Sequence, residues 1–129
     1  MPDIQQTVHF STTATRLFEA ILDPTQHAAF TGASATGEPE SGAVFTAWDD
    51  YITGRHLELV PGVRIVQAWR AADWPEGAWS IVRYELTDLG AHVRLDFEHL
   101  GVPADQHEGI TQGWHDHYWT PIAAWLAAL

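Results

Sequence analysis

Hydrophobic positions along this chain switch between two periods, and the switches mark its elements. Ile4, Gln6, Val8 and Phe10 share one face of a two-residue repeat, which predicts a strand over 4–10. Ser11, Thr12 and Thr13 then offer hydroxyl caps to a helix over 14–22, where Leu17, Phe18, Ile21 and Leu22 recur at helical spacing. Asp23-Pro24 ends that helix, and Pro24 suits the first turn of a second one reaching about Phe30. Residues 31–42 turn to Gly, Ser, Thr and Glu, which predicts loop around at most one short strand. Strand patterns follow at 43–48, 51–60, 63–70, 79–87 and 92–99, separated by Asp49-Asp50, Pro61-Gly62, 73–77 and 88–90. The last strand alternates most clearly, with Val93, Leu95, Phe97 and His99 on one face and His92, Arg94, Asp96 and Glu98 on the other.

The period then returns to helical over 104–129. Ile110, Trp114, Tyr118, Pro121 or Ile122, Trp125 and Leu129 form one stripe, and Pro121 predicts a bend near the carbonyl of His117. The order is strand, two short helices, antiparallel sheet, long C-terminal helix. This is an α+β arrangement in which a strongly curved sheet wraps one helix and can leave a cavity between them. No linker, repeat or low-complexity tract divides the 129 residues, so a single domain over 1–129 is expected.

Composition removes several function classes. Cysteine is absent, which excludes disulfides, thiolate metal sites and thiol nucleophiles. All six basic residues are arginine, so lysine chemistry and a P-loop are excluded as well. A formal net charge of −11 argues against nucleic acid and anionic membranes as partners. The N-terminus carries no basic segment followed by an apolar run, and no stretch is long and apolar enough for a membrane span. A cytoplasmic location is therefore expected.

Eight histidines invite a metal reading that their spacing does not support. His115 and His117 are two positions apart, about 200° around a helix, and His107 and His115 are about 12 Å apart along its axis. The expectation is no metal and no cofactor. No nucleophile elbow surrounds any serine, and Asp49-Asp50 reads as turn chemistry. His99 shares the inward face of its strand. It is read either as a strand-end histidine satisfying a backbone group near Gly101, or as an imidazole at a cavity mouth acting as hydrogen-bond partner or general base. Arg83 and Arg94 are expected among acids on the wet face of the sheet. Arg70 is expected to pair with Asp73 or Glu85.

Several segments together resemble a known family. They are Gly42 through Arg55 (Gly-Ala-Val-Phe-Thr-Ala-Trp-Asp-Asp-Tyr-Ile-Thr-Gly-Arg), Leu57-Glu58-Leu59-Val60-Pro61-Gly62, and Ile65 through Arg70. Asp73-Trp74-Pro75-Glu76-Gly77, Gly101-Val102-Pro103, Gly113-Trp114 and Tyr118-Trp119-Thr120-Pro121-Ile122 complete the set. In this order and spacing the chain is similar to homologues of the activator of heat-shock protein 90 ATPase, of the START/SRPBCC superfamily. The resemblance implies the helix-grip fold of the birch-pollen allergen, and correspondence to the C-terminal-type domain of eukaryotic members. It also implies a chaperone as one possible partner. Asp50 departs from the glycine usual in the family's turn, and Asp tolerates the left-handed conformation at modest cost.

Seven tryptophans are many for this length. They fit a packed core, and in this fold bulky rings also line a cavity. The expected ligand-binding set is Trp48, Gln67, Trp69, Phe97, His99, Trp114 and Tyr118, for a small apolar or aromatic ligand. His99 and Tyr118 are the candidate acid or base if the chain is an enzyme, although no complete catalytic motif argues that it is one. The other class is a protein-binding module acting on a chaperone. A monomer and a homodimer are both compatible with the sequence.

Overall fold

The computed structural model describes residues 3–129, so the expectation about the extreme N-terminus falls on Met1 and Pro2, outside the described residues. Strand β1 (Ile4–Phe10) leads into helix α1 (Ala14–Leu22), whose Thr13 hydroxyl accepts the Arg16 N–H at 3.1 Å. Helix α2 (Pro24–Thr31) starts on the Asp23 carboxylate, which accepts the Thr25 N–H at 2.8 Å, and ends at Gly32 in the left-handed conformation. Residues 33–43 are loop, with one bridge between Thr36 and Thr46. Five strands follow: β2 (Val44–Ala47), β3 (Ile52–Val60), β4 (Arg64–Ala71), β5 (Ser80–Asp88) and β6 (Val93–Leu100).

All pairings are antiparallel and the sheet order is β1-β6-β5-β4-β3-β2, with β1 returning to pair with the last strand. The two-residue repeat fixes the register. Ile4, His99, Val82, Gln67 and His56 are cross-strand neighbours in one row, and Gln6, Phe97, Tyr84 and Ile65 in the next. These rows form the concave face. The opposite face carries the ion pairs expected of it, Arg83–Glu85 at 2.5 Å and Arg94–Asp96 at 3.0 Å, with Arg64 held between Glu58 and Glu85. Pairs this exposed contribute about 0–1 kcal/mol each. Gly54 in β3 is obligatory, because a Cβ there would fall 2.5 Å from the Phe45 ring and collide with the Ala68 carbonyl.

The C-terminal helix differs from the single bent helix that its stripe predicts. A 3₁₀ turn (Ala104–Gln106) leads to α3 (His107–Trp114), then a π-helical turn (His115–Trp119), then α4 (Thr120–Ala127). Within the π turn, the Thr120 N–H donates to the carbonyl of His115, five residues back. Pro121, which has no N–H to give the His117 carbonyl, follows at once, so the helix accommodates it by widening. The extra residue shifts the phase of the stripe. Trp119 turns inward beside Tyr118, Trp125 is left half-buried under Arg16, and Leu129 is 68% exposed. The expectation that Trp125 and Leu129 continue the buried stripe is corrected accordingly.

Gln6 of β1 grips this helix twice. Its amide N–H donates to the Thr111 carbonyl at 3.0 Å, and its amide oxygen accepts the Trp119 indole N–H at 2.7 Å. Arg70 pairs with neither Asp73 nor Glu85. It donates to the carbonyls of Trp74, Pro75 and Ala78, pinning the β4–β5 loop, and lies over the half-exposed Trp79 ring. Three carbonyls presented by one tight loop satisfy a guanidinium as well as one carboxylate does.

Candidate functional site

A cavity of about 390 Å³, open on one side, lies between the β2–β3 hairpin and the C-terminal helix. Trp48, Tyr51 and Ile52 line it from the hairpin and Trp69 from the sheet. The helix contributes Gly109, Ile110, Gly113, Trp114, His117 and Tyr118. The hairpin reaches over because Trp48, Asp49 and Asp50 all hold positive φ (54°, 56° and 71°), a left-handed turn made without glycine. That conformation costs roughly 1 kcal/mol per non-glycine residue, less for Asp. It is held by the Asp49 carboxylate, which accepts the Ser34 N–H at 2.9 Å and is kept below its ordinary pKa by that bond. It also seats the Trp48 ring edge-on to His117 at 5.2 Å. Tyr51 donates its hydroxyl to Asp73 at 2.6 Å. Burial, the hydrogen bond and the charge of Asp73 push its pKa up to about 12.

Of the expected ligand set, Trp48, Trp69, Trp114 and Tyr118 meet at this cavity. Phe97, Gln67 and His99 do not line it. Phe97 packs behind it, against Trp114 at 4.4 Å and Trp119 at 5.0 Å. Gln67 faces a separate chamber of about 20 Å³, room for about one water, which it shares with His27, His56 and Tyr118. There its amide lies 3.4 Å from Nδ1 of His56.

His99 is neither a strand-end cap nor a group at a cavity mouth. It is 0% exposed, one residue inside β6, with both ring nitrogens engaged. Ser80 Oγ donates to the Trp69 carbonyl at 2.7 Å, so at 2.7 Å from the imidazole that oxygen accepts from His99 Nε2–H. His99 Nδ1 in turn accepts the Trp114 indole N–H at 3.1 Å. One neutral tautomer satisfies the whole chain of bonds. Burial holds the imidazole down at about 3, against a smaller upward pull from Asp3. With its lone pair committed to Trp114 and no path to the cavity, His99 is a structural hub and not a base.

Tyr118 belongs to both spaces. Its ring walls the large cavity, and its hydroxyl is 3.0 Å from Nε2 of buried His27. Burial raises the phenol well above its ordinary value and lowers His27 to about 4, so both are neutral at pH 7. Sequence reasoning missed His27, which sits 91 residues away in a helix with almost no amphipathic bias, and it missed Trp119. A His one turn after a capped Asp-Pro start is the only local signal for the first, and the π turn conceals the second. Among the described residues no group of histidines and carboxylates could hold a metal ion.

Comparison with known proteins decides the lineage. The family profile described as "Activator of Hsp90 ATPase homolog 1-like protein" matches residues 11–127. This chain belongs to that family. It is 33% identical over 113 residues to the human "Activator of 90 kDa heat shock protein ATPase homolog 1", covering 88% of this chain and 33% of the relative. It is 27% identical over 120 residues to an uncharacterised protein of Schizosaccharomyces pombe, covering 93% and 36% respectively. The chain thus spans about a third of the length of these curated relatives. Among solved structures, an HSP90 activator from Plasmodium falciparum superposes with a TM-score of 0.91 at 23% identity, covering 96% of this chain and 95% of that one. A dimer from Colwellia psychrerythraea gives 0.77 at 11% identity, covering 91% and 90%. The shared architecture is the helix-grip fold of the SRPBCC superfamily, and Asp50 holds the left-handed turn position in it. No helix among the described residues is long and apolar enough to cross a membrane.

Proposed function

We propose that this member of the Hsp90-activator homologue family binds a small aromatic or otherwise hydrophobic ligand in the cavity under its C-terminal helix. One observation carries the reading: about 390 Å³ of space walled by Trp48, Trp69, Trp114 and Tyr118, with few polar groups. Small-molecule sites occupy about 300–1,000 Å³ and are lined in the same way. The chemistry favours binding over turnover. His99 is sealed off, and Tyr118, held protonated, can donate a hydrogen bond but not accept a proton. Native mass spectrometry of protein purified without denaturation tests the reading, with a co-purified small molecule as the expected result. An empty protein whose melting temperature moves with no hydrophobic compound would defeat it.

A chaperone partner in the cytoplasm is the second reading, favoured by the 33% identity to a human activator of the 90 kDa heat-shock protein ATPase. Because the chain matches only a third of that protein, the partner is proposed for this segment on its own. Pull-down with the purified chaperone and a measurement of its ATPase rate test it. No retention and no change in rate would remove it.

A further inference from the structure

Two features of the cavity go beyond apolar walls. The first is glycine. Gly109 and Gly113 stand one turn apart on α3 and both line the cavity, although glycine inside a helix costs about 1 kcal/mol relative to alanine. Packing does not demand them. A Cβ on Gly109 would meet nothing within 4 Å, and one on Gly113 only the ring edge of His117 at 3.7 Å. Neither position has the positive φ that calls for glycine. The two missing side chains leave a strip of bare helix backbone opposite the Trp48 hairpin, where a flat group can lie closer than any side chain would permit.

The second feature is charge. Asp49 and Asp50 follow Trp48, Asp116 precedes His117, and the Asp73 carboxylate is 2.6 Å from the Tyr51 hydroxyl, so carboxylates flank both sides of the opening. No arginine lines the cavity, and the sequence has no lysine. The arginines serve elsewhere: Arg16 lies over Trp125, Arg55 and Arg70 hold loop carbonyls, and Arg64, Arg83 and Arg94 pair with carboxylates outside the sheet. His117 is the one basic group in the lining. An anionic ligand meets no fixed countercharge here. A cation meets aromatic rings, whose faces attract positive charge, and a carboxylate rim.

We propose that the cavity takes a planar aromatic cation, its ring laid on the Gly109–Gly113 strip between helix and hairpin and its charge turned toward Asp73. This rests on the ligand-binding reading above and names the ligand class for that same site. Calorimetric titration at pH 8, where imidazoles are neutral, with naphthylmethylammonium, naphthol and naphthoate separates the two. The expected order is cation, then neutral, then anion, with at least about tenfold between the extremes. The G109A/G113A double variant loses about tenfold in affinity for the cation while its melting temperature stays level or rises, because alanine favours the helix. Gln112→Ala, on the exposed side of the same helix, leaves binding unchanged. Naphthoate binding as tightly as the cation, or the double alanine variant binding like the parent, overturns this inference alone. Failure of all three probes to bind the parent protein removes the ligand reading beneath it as well.

Discussion

The C-terminal helix passes through two environments built from the same residue types. Behind it, Trp114, Trp119, Phe97 and His99 form a closed cluster in which every ring nitrogen is paired: Trp114 to His99, His99 to Ser80, Trp119 to Gln6. Between it and the hairpin, Trp48, Tyr51 and Tyr118 edge an open cavity, and the backbone between Trp48 and Tyr51 is strained. In the first region aromatics and histidine are structure. In the second the same chemistry is left facing space. Satisfied hydrogen bonds and dry packing fix a side chain's role, and residue type alone does not.

Acid should break the closed regions first. His27 and His99 fall from 6.5 to about 4 and about 3 on folding, so the unfolded chain binds more protons below pH 6.5. Stability is therefore full above pH 6.5 and is lost as pH falls, by about 1.4 kcal/mol per pH unit for each imidazole, until the folded-state values are reached. Urea midpoints at pH 7 and pH 5 should differ by about 4 kcal/mol from these two groups. A His27→Gln variant should lose the share of one imidazole. A flat profile between pH 7 and pH 5 would show that neither ring is buried as described.

His99→Leu keeps the volume but strands the Trp114 indole N–H. It should cost about 3 kcal/mol in urea unfolding at pH 7, with the cavity unaltered. Tyr118→Phe removes only the hydroxyl that faces His27. It should cost about 1–2 kcal/mol while leaving probe binding as it was, because the ring still walls the cavity. Trp48→Ala should do the opposite. Its stability should stay within about 1 kcal/mol of the parent, since lost ring contact is set against relief at a left-handed residue, while probe affinity falls by about tenfold. If Trp48→Ala unfolds the protein and His99→Leu does not, the assignment of the two regions is reversed. Asp50→Gly, at φ 71°, should raise stability by about 0.5–1 kcal/mol, read as a shift in melting temperature.

The elements were legible because each is governed by local rules. The Thr13 and Asp23 caps, the Pro24 start and the strand alternation reproduce the observed bounds almost residue for residue. The inward row that ends in His99 also followed from alternation. Its role did not, because Ser80 and Trp114 come from another strand and from the helix, and no local pattern announces a tertiary hydrogen bond. Gln67 was misplaced for the same reason. Parity put it on the inner face, but which of two adjoining spaces it meets depends on where Tyr118 stands as a partition. The Arg70 contacts were hidden because a loop's carbonyls leave no mark in side-chain sequence.

The π turn at 115–119 also has a meaning as chain length. It holds one residue more than an α-helix of the same rise needs, an insertion absorbed without breaking the rod. Removing any one residue there would let the turn close as ordinary α-helix and rotate everything beyond it by about 100°. Ile122 would swing out of the core, and Tyr118 and Trp119 could no longer both face inward. A deletion of the same size in the loop over 33–43 would shorten only a surface connection. This segment therefore has a length it must keep as strictly as any identity within it, and an alignment that opens a gap there would misplace every residue that follows.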